Sequence, residues 1–346
     1  MSKDLYAPLP KGEVIKAVER KNPSRIPLVR AKWWGEGLEE QYGSRLGGLD
    51  KYPEDVEWAW VEPLVDPSAM GLSWEWGGRK GLDANPVLDD WRKLDEFISK
   101  LPAPESDSRF EPLKPVAEKA HRENRYLLFA FWRLFFEKPW ELRGMENLMI
   151  DYYENPETVH KLHASLCDTY CAYIRHAGKI LEPDGLWTSD DLGHQRGPMM
   201  SPAIFHAFQF PYYVKIGAEL DKYSMHFWLH SCGDNTELLP DLIAAGLDVF
   251  HPVQKHTMDE KTVAEKYGAR LSFLAGLDVQ HTLREKDPPG VREEVRFLID
   301  TFDKPEGGMA IAAGNGIVAG TPLENIEAFL NEALRYGAAH RGKYGK

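Results

Sequence analysis

A chain of 346 residues that is 43% hydrophobic can build one large core, and its formal net charge of -12 gives no global field for phosphate backbones. Nucleic acid is therefore excluded as the expected partner. Three cysteines, Cys167, Cys171 and Cys232, cannot pair completely, which points to a reducing, cytoplasmic setting.

In chain order, the N-terminal stretch MSKDLYAPLPKGEVIKAVER shows no apolar segment of the kind a signal peptide needs. RIPLVRAKWW (25–34) reads as a first strand. The stretch 35–115 is rich in Gly, Pro, Asp and Trp and reads as loop excursions, with LSWEWGG (72–78) as a weak strand inside it. RYLLFAFW (125–132) is a strand. The apolar run continues to Phe136, but Arg133 interrupts it and it is far shorter than the roughly 20 residues of a membrane span. The segment 151–178 has helical periodicity and places Cys167 and Cys171 on one face, as small buried residues.

Five strand–helix units follow. GLWTSDDLG (185–193) precedes a helix over 201–223 capped by Ser201. SMHFWLHSCG (224–233) precedes a helix closed by Gly246. LDVFHPVQ (247–254), RLSFLAGLD (270–278) and GMAIAAGNGI (308–317) are strands, each followed by a helix. The last helix has a capping-box pattern from Thr321 to Glu324. Such alternation predicts parallel strands, and eight units in one chain predict a single (β/α)8 TIM barrel over 1–346 with long loops over its C-terminal mouth. No GxGxxG follows a first strand, so a dinucleotide fold lacks its signature.

In a barrel, chemistry sits at the C-terminal strand ends. His230 and Cys232 are two apart on a strand, so both face one side, and imidazole with thiolate favours Zn2+. Gly233 lets the chain turn behind them. Asp190 and Asp191 end the preceding strand. Asp191 is the best oxygen candidate for a third metal ligand, and both carboxylates are candidates for acid–base work. Arg30, Trp33, Trp34, Trp132, Arg133, His251, Gln254, Asp278 and Asn315 occupy the other strand ends. Tryptophans there suit an aromatic small-molecule substrate, and the arginine forks suit a carboxylate.

The segments LHSCGDNTELLPDLIAAGLDVFHPVQ, LSFLAGLDVQHTL and GNGIVAGTPLENIEAFLNEAL run in order within 185–337 and resemble the C-terminal half of the uroporphyrinogen decarboxylase superfamily. The resemblance implies a (β/α)8 barrel and one of two chemistries. The decarboxylase branch is cofactor-free and uses an N-terminal arginine-rich motif that is not found here. The corrinoid-dependent methyltransferase branch binds zinc through an H-x-C and a distant Cys on the last strand. His230 and Cys232 match the first two positions, whereas the third falls at Asn315.

On that resemblance the leading expectation is zinc-assisted methyl transfer from a small methylated substrate, such as a methoxy-aromatic, to the cobalt of a corrinoid carried by a separate protein. A metal-free decarboxylase of a porphyrinogen or other small carboxylic acid is the alternative. A non-catalytic tetrapyrrole or corrinoid binder is the third reading. Pairing into a homodimer is common in such barrels. No membrane contact is expected.

Overall fold

The computed structural model describes residues 5–30, 33–67, 70 and 86–344. Among them, seven strands form one sheet in the order β1-β2-β3-β6-β7-β8-β9. These are β1 (Val56–Trp60), β2 (Tyr126–Ala130), β3 (Gly185–Ser189), β6 (His226–His230), β7 (Val249–His251), β8 (Ser272–Leu277) and β9 (Met309–Ala313). A two-stranded hairpin, β4 (Gly193–His194) and β5 (Gly197–Pro198), follows β3. Strands β2, β3, β8 and β9 are buried along their whole length. Sequences such as YLLFA and MAIAA, apolar without alternation, are what a parallel sheet covered on both faces requires.

The chain divides into two compact units. One comprises residues 1–57, 119–127 and 248–346; the other comprises 58–118 and 128–247. In the second unit, β3 pairs in parallel with both neighbours, in register Phe129↔Leu186, Trp187↔Trp228 and Ser189↔His230. Ser189 and His230 therefore end their strands at one level.

In the first unit, Val249 pairs with Ser272 and Leu277 with Ala313. Among the described residues of the strand expected over 25–34, the pairing is two isolated parallel bridges, Leu28↔Ile311 and Trp34↔Ile317. The reason is local. Pro27 has no N–H to donate, and the Leu28 N–H is taken at 2.7 Å by the Asp55 carboxylate. That carboxylate also accepts the Leu9 N–H and two bonds from Arg25, whose side chain is almost fully buried. The bridge still does a strand's work: Val29 donates to Ile311 and Asp55 donates to Leu28.

The weak strand expected over 72–78 lies outside the described residues. Within 35–115, expected as loops, Val56–Trp60 is instead a sheet strand. Its sequence VEWAW carries the β-branched and aromatic residues that favour a strand, a signal masked by the Gly- and Pro-rich flanks.

The helix expected over 201–223 is two, Pro202–Phe208 and Phe210–Asp221, broken where Pro211 interrupts the hydrogen-bond ladder. Ser201 caps the first of them by accepting from the Ile204 N–H. Pro156 likewise divides the segment 151–178 into Met145–Glu154 and Pro156–Ile180. The capping box expected at Thr321 does not form: the last helix begins at Leu323, after Pro322, without a side-chain cap. Among the described residues no helix is long and apolar enough to cross a membrane.

Candidate metal centre

All of this site lies within the second unit. The Asp190 N–H donates to the His230 carbonyl at 2.9 Å, so the ladder between β3 and β6 continues one residue past the strand end. From there Asp190 and Asp191 point opposite ways, as alternation along an extended chain demands.

Asp190 is fully buried. Its carboxylate accepts from the backbone N–H groups of Phe135, Phe136 and Glu137 and from the Tyr213 hydroxyl, at 2.7–3.0 Å. The first three lie at the start of the helix Glu137–Arg143, where N–H groups have no partner within the helix. Burial pushes the Asp190 pKa up to about 6, against the pull of these four donors. With its oxygens committed to the fold, Asp190 is a brace. The acid–base role expected for it from sequence has no free oxygen to act through.

Asp191 takes the other direction. Its Oδ1 accepts the Cys232 N–H at 2.8 Å and lies 3.8 Å from His230 Nε2. The Cys232 Sγ is 3.4 Å from the same nitrogen. The imidazole nitrogen, the sulfur and a carboxylate oxygen all lie within 4.8 Å of one another, and they form the one such group among the described residues. Tetrahedral zinc with bonds of about 2.0–2.3 Å sets its ligand atoms about 3.3–3.6 Å apart. The sulfur–nitrogen separation falls within that spacing, the oxygen–nitrogen separation exceeds it by a few tenths of an ångström, and an N, S, O donor set suits zinc. The residues fit the ion.

Tryptophans flank the imidazole. Trp132 meets His230 edge-on with ring centres 5.8 Å apart, and Trp187 lies at 6.2 Å. Trp60 packs on Trp132 at 5.4 Å, and Trp58 stacks on Trp60 at 5.5 Å. Trp58 and Trp60 share one face of β1, so the strand missed in the sequence supplies half of this wall.

Charged groups extend behind it. Ser189 Oγ donates to Glu137 Oε2 at 2.7 Å and accepts from the Arg133 N–H. Burial, with the Asp191 and Asp190 carboxylates nearby, raises the Glu137 pKa well above the usual range. Arg133 donates to Glu141 at 2.9 Å, and buried Lys138 donates to the same oxygen. Burial lowers the Lys138 pKa. Burial also raises the pKa of Glu62, which accepts the Trp132 N–H at 2.9 Å. The Arg133 guanidinium is thus held by an internal carboxylate rather than offered bare. Glu137 and Glu141 escaped the sequence reading because nothing in FFEKPWE marks a strand-end loop, and Glu62 because it follows the strand Val56–Trp60 that was read as loop. The available signal was the preceding strand and the run of polar residues after it.

The remaining candidates belong to the first unit. Trp33 is buried and stacks on His251 at 4.5 Å, and His251 Nε2 meets the Ala313 carbonyl at 3.0 Å. Trp34 forms its bridge to Ile317. Arg30 pairs with Asp50 at 3.0 Å. The Asp278 carboxylate accepts the N–H groups of Gln280, His281 and Thr282, a turn-stabilising role. Gln254 is half-buried, and exposed Asn315 accepts the Gly316 N–H with its side-chain oxygen.

The family description "Uroporphyrinogen decarboxylase (URO-D)" matches residues 46–336. The chain belongs to the uroporphyrinogen decarboxylase family. Members similar to it carry different names. A methylated-thiol–coenzyme M methyltransferase from Methanosarcina mazei is 26% identical over 192 residues, 55% of this chain and 48% of that one. The chain thus matches about half the length of that relative. A uroporphyrinogen decarboxylase from Xanthomonas campestris is 24% identical over 340 residues, covering 87% of this chain and 90% of the other. Among solved structures, a methyltransferase from Methanosarcina mazei superposes over 94% of this chain and 98% of its own, with a TM-score of 0.66 at 16% identity. That likeness shows the fold: this is the TIM-barrel-like α/β architecture of the family.

Proposed function

We propose that this family member is a methyltransferase that moves a methyl group from a small methylated substrate to the cobalt of a corrinoid held by a separate protein. One observation carries the reading: Asp191, His230 and Cys232 offer an oxygen, a nitrogen and a sulfur within 4.8 Å at the ends of adjacent strands. In this reading these three hold zinc, and Asp191 replaces the cysteine that the methyltransferase branch has where this chain has Asn315. When bound, zinc supplies Lewis acidity toward the heteroatom that carries the methyl group. Similarity to a named methyltransferase supports the reaction class. The wall of Trp60, Trp132 and Trp187 beside His230 supports an aromatic methyl ether as donor. In this reading Arg133 keeps its pair with Glu141 and takes a substrate carboxylate on the remaining edge of its guanidinium.

The experiment uses purified protein, a reduced corrinoid protein and an aryl methyl ether. We expect one zinc per chain, methylation of the cobalt, and loss of both in Cys232→Ala. Activity unchanged after zinc removal sinks the proposal. The second reading, a metal-free decarboxylase, is favoured by the similarity to uroporphyrinogen decarboxylases along most of the chain. Carbon dioxide release from a porphyrinogen by zinc-free protein would select it.

A further inference from the structure

Behind the three candidate ligands lies a buried polar device that none of the expected chemistry uses. Asn235 is fully buried. Its Nδ2 donates to the carbonyls of Ser231, Cys232 and Gly233, each at 3.1 Å, so two N–H groups are shared among three acceptors. Its Oδ1 accepts from Ser231 Oγ at 3.0 Å. That hydroxyl, also fully buried, accepts the Leu192 N–H at 3.0 Å. One side chain therefore gathers three successive carbonyls of the turn that carries Cys232. Through Ser231 it ties that turn to the residue after Asp191.

The turn is held from its other side too. Gly233 has φ +81°, and a side chain there would run into the Gly193 backbone. The Asp234 N–H donates to the His194 carbonyl at 2.8 Å, so the β4–β5 hairpin seats directly on the turn.

A buried amide whose donors and acceptor are all engaged is costly to break and narrow in the geometries it accepts. We propose that Asn235, acting with Ser231, is the positioning residue of the metal centre: it fixes the Cys232 turn against the Asp191 strand end so that the sulfur and the carboxylate converge on His230. This rests on the zinc reading above and adds to it the group that sets ligand spacing. Outer partners that orient metal ligands are worth about 10- to 100-fold in affinity.

The test is made on the full chain, with zinc and cobalt(II) as probes. Zinc affinity is read by competition with a chromogenic chelator, ligand geometry by the cobalt(II) absorption bands, and folding by the melting temperature of metal-free protein. Asn235→Ala and the milder Ser231→Ala are each expected to lower zinc affinity by about 10- to 100-fold and to alter the cobalt(II) bands. Should Asn235→Ala fail to fold, Ser231→Ala decides by the same readings. A lower melting temperature with affinity and spectrum unchanged overturns the inference, because the amide then serves the fold alone. Wild-type protein that binds neither ion overturns the zinc reading itself, a result plainly distinct from a wild-type site retained in the variants.

Discussion

Asp190 and Asp191 are neighbours of one chemical type with opposite surroundings. The first gives its oxygens to three backbone N–H groups and a tyrosine; the second turns one oxygen toward His230 and Cys232. Asp190→Asn puts an amide against donors and should lower the unfolding free energy by about 2–4 kcal/mol in urea titrations. Asp191→Asn keeps an acceptor for the Cys232 N–H. Its metal-free stability should stay within about 0.5 kcal/mol of wild type while zinc affinity falls. Equal losses of stability in the two variants would contradict the division of labour. The pair was legible as a strand-end motif, and so were His230 and Cys232, because period-two spacing places them on one side. Alternation alone also separates the two aspartates. What sequence could not reveal is which side faces a helix start, since Phe135–Glu137 lie more than fifty positions away in the chain. Asn235 was hidden for a different reason: an amide three places after a cysteine looks like an ordinary turn residue until its three acceptors are seen together.

Elements were legible where burial on both faces leaves continuous apolar runs, as in Tyr126–Ala130 and Met309–Ala313. They were illegible where a side chain replaces a backbone partner. Arg25 and Asp55 do this at Leu28, turning a nominal strand into bridges. Helix ends followed local chemistry, with Pro156 and Pro211 each dividing a stretch that looks continuous by periodicity. Packing between elements is set by close approaches invisible in composition. Gly217, within the helix Phe210–Asp221, abuts the Ala245 carbonyl so closely that any side chain meets backbone. Gly217→Ala should therefore destabilise by about 1–3 kcal/mol or more, despite alanine's better helix propensity. Chemical denaturation measures it, and a stabilised variant would show that the helix can shift away without cost.

Acidity acts on the whole molecule, and at Asp107 the sign of its effect can be worked out. Burial alone would raise the Asp107 pKa, but hydrogen bonds from the Arg109 guanidinium, the Tyr173 hydroxyl and the Arg109 N–H bring it down to about 2. A carboxylate depressed by folding adds stability above its ordinary value near 3.8, and that stability is lost as pH falls through about 2. The melting-temperature deficit of Asp107→Asn should therefore be full at pH 5–7 and shrink between about pH 4 and 2. A deficit independent of pH would assign the effect to packing instead. The barrel class itself was readable from the strand–helix rhythm of the second half.

The indole of Trp132 stands edge-on to His230, and Trp187 lies close by. Excited indoles are sensitive to whether an adjoining imidazole is bare, protonated or bonded to a cation. On the zinc reading, the protein thus carries its own optical gauge of occupancy. Emission should change in step with added zinc, and Trp132→Phe should blunt the response while the ion still enters. Loading could then be followed in real time without a dye, an assay that the tryptophans supply simply by where they stand.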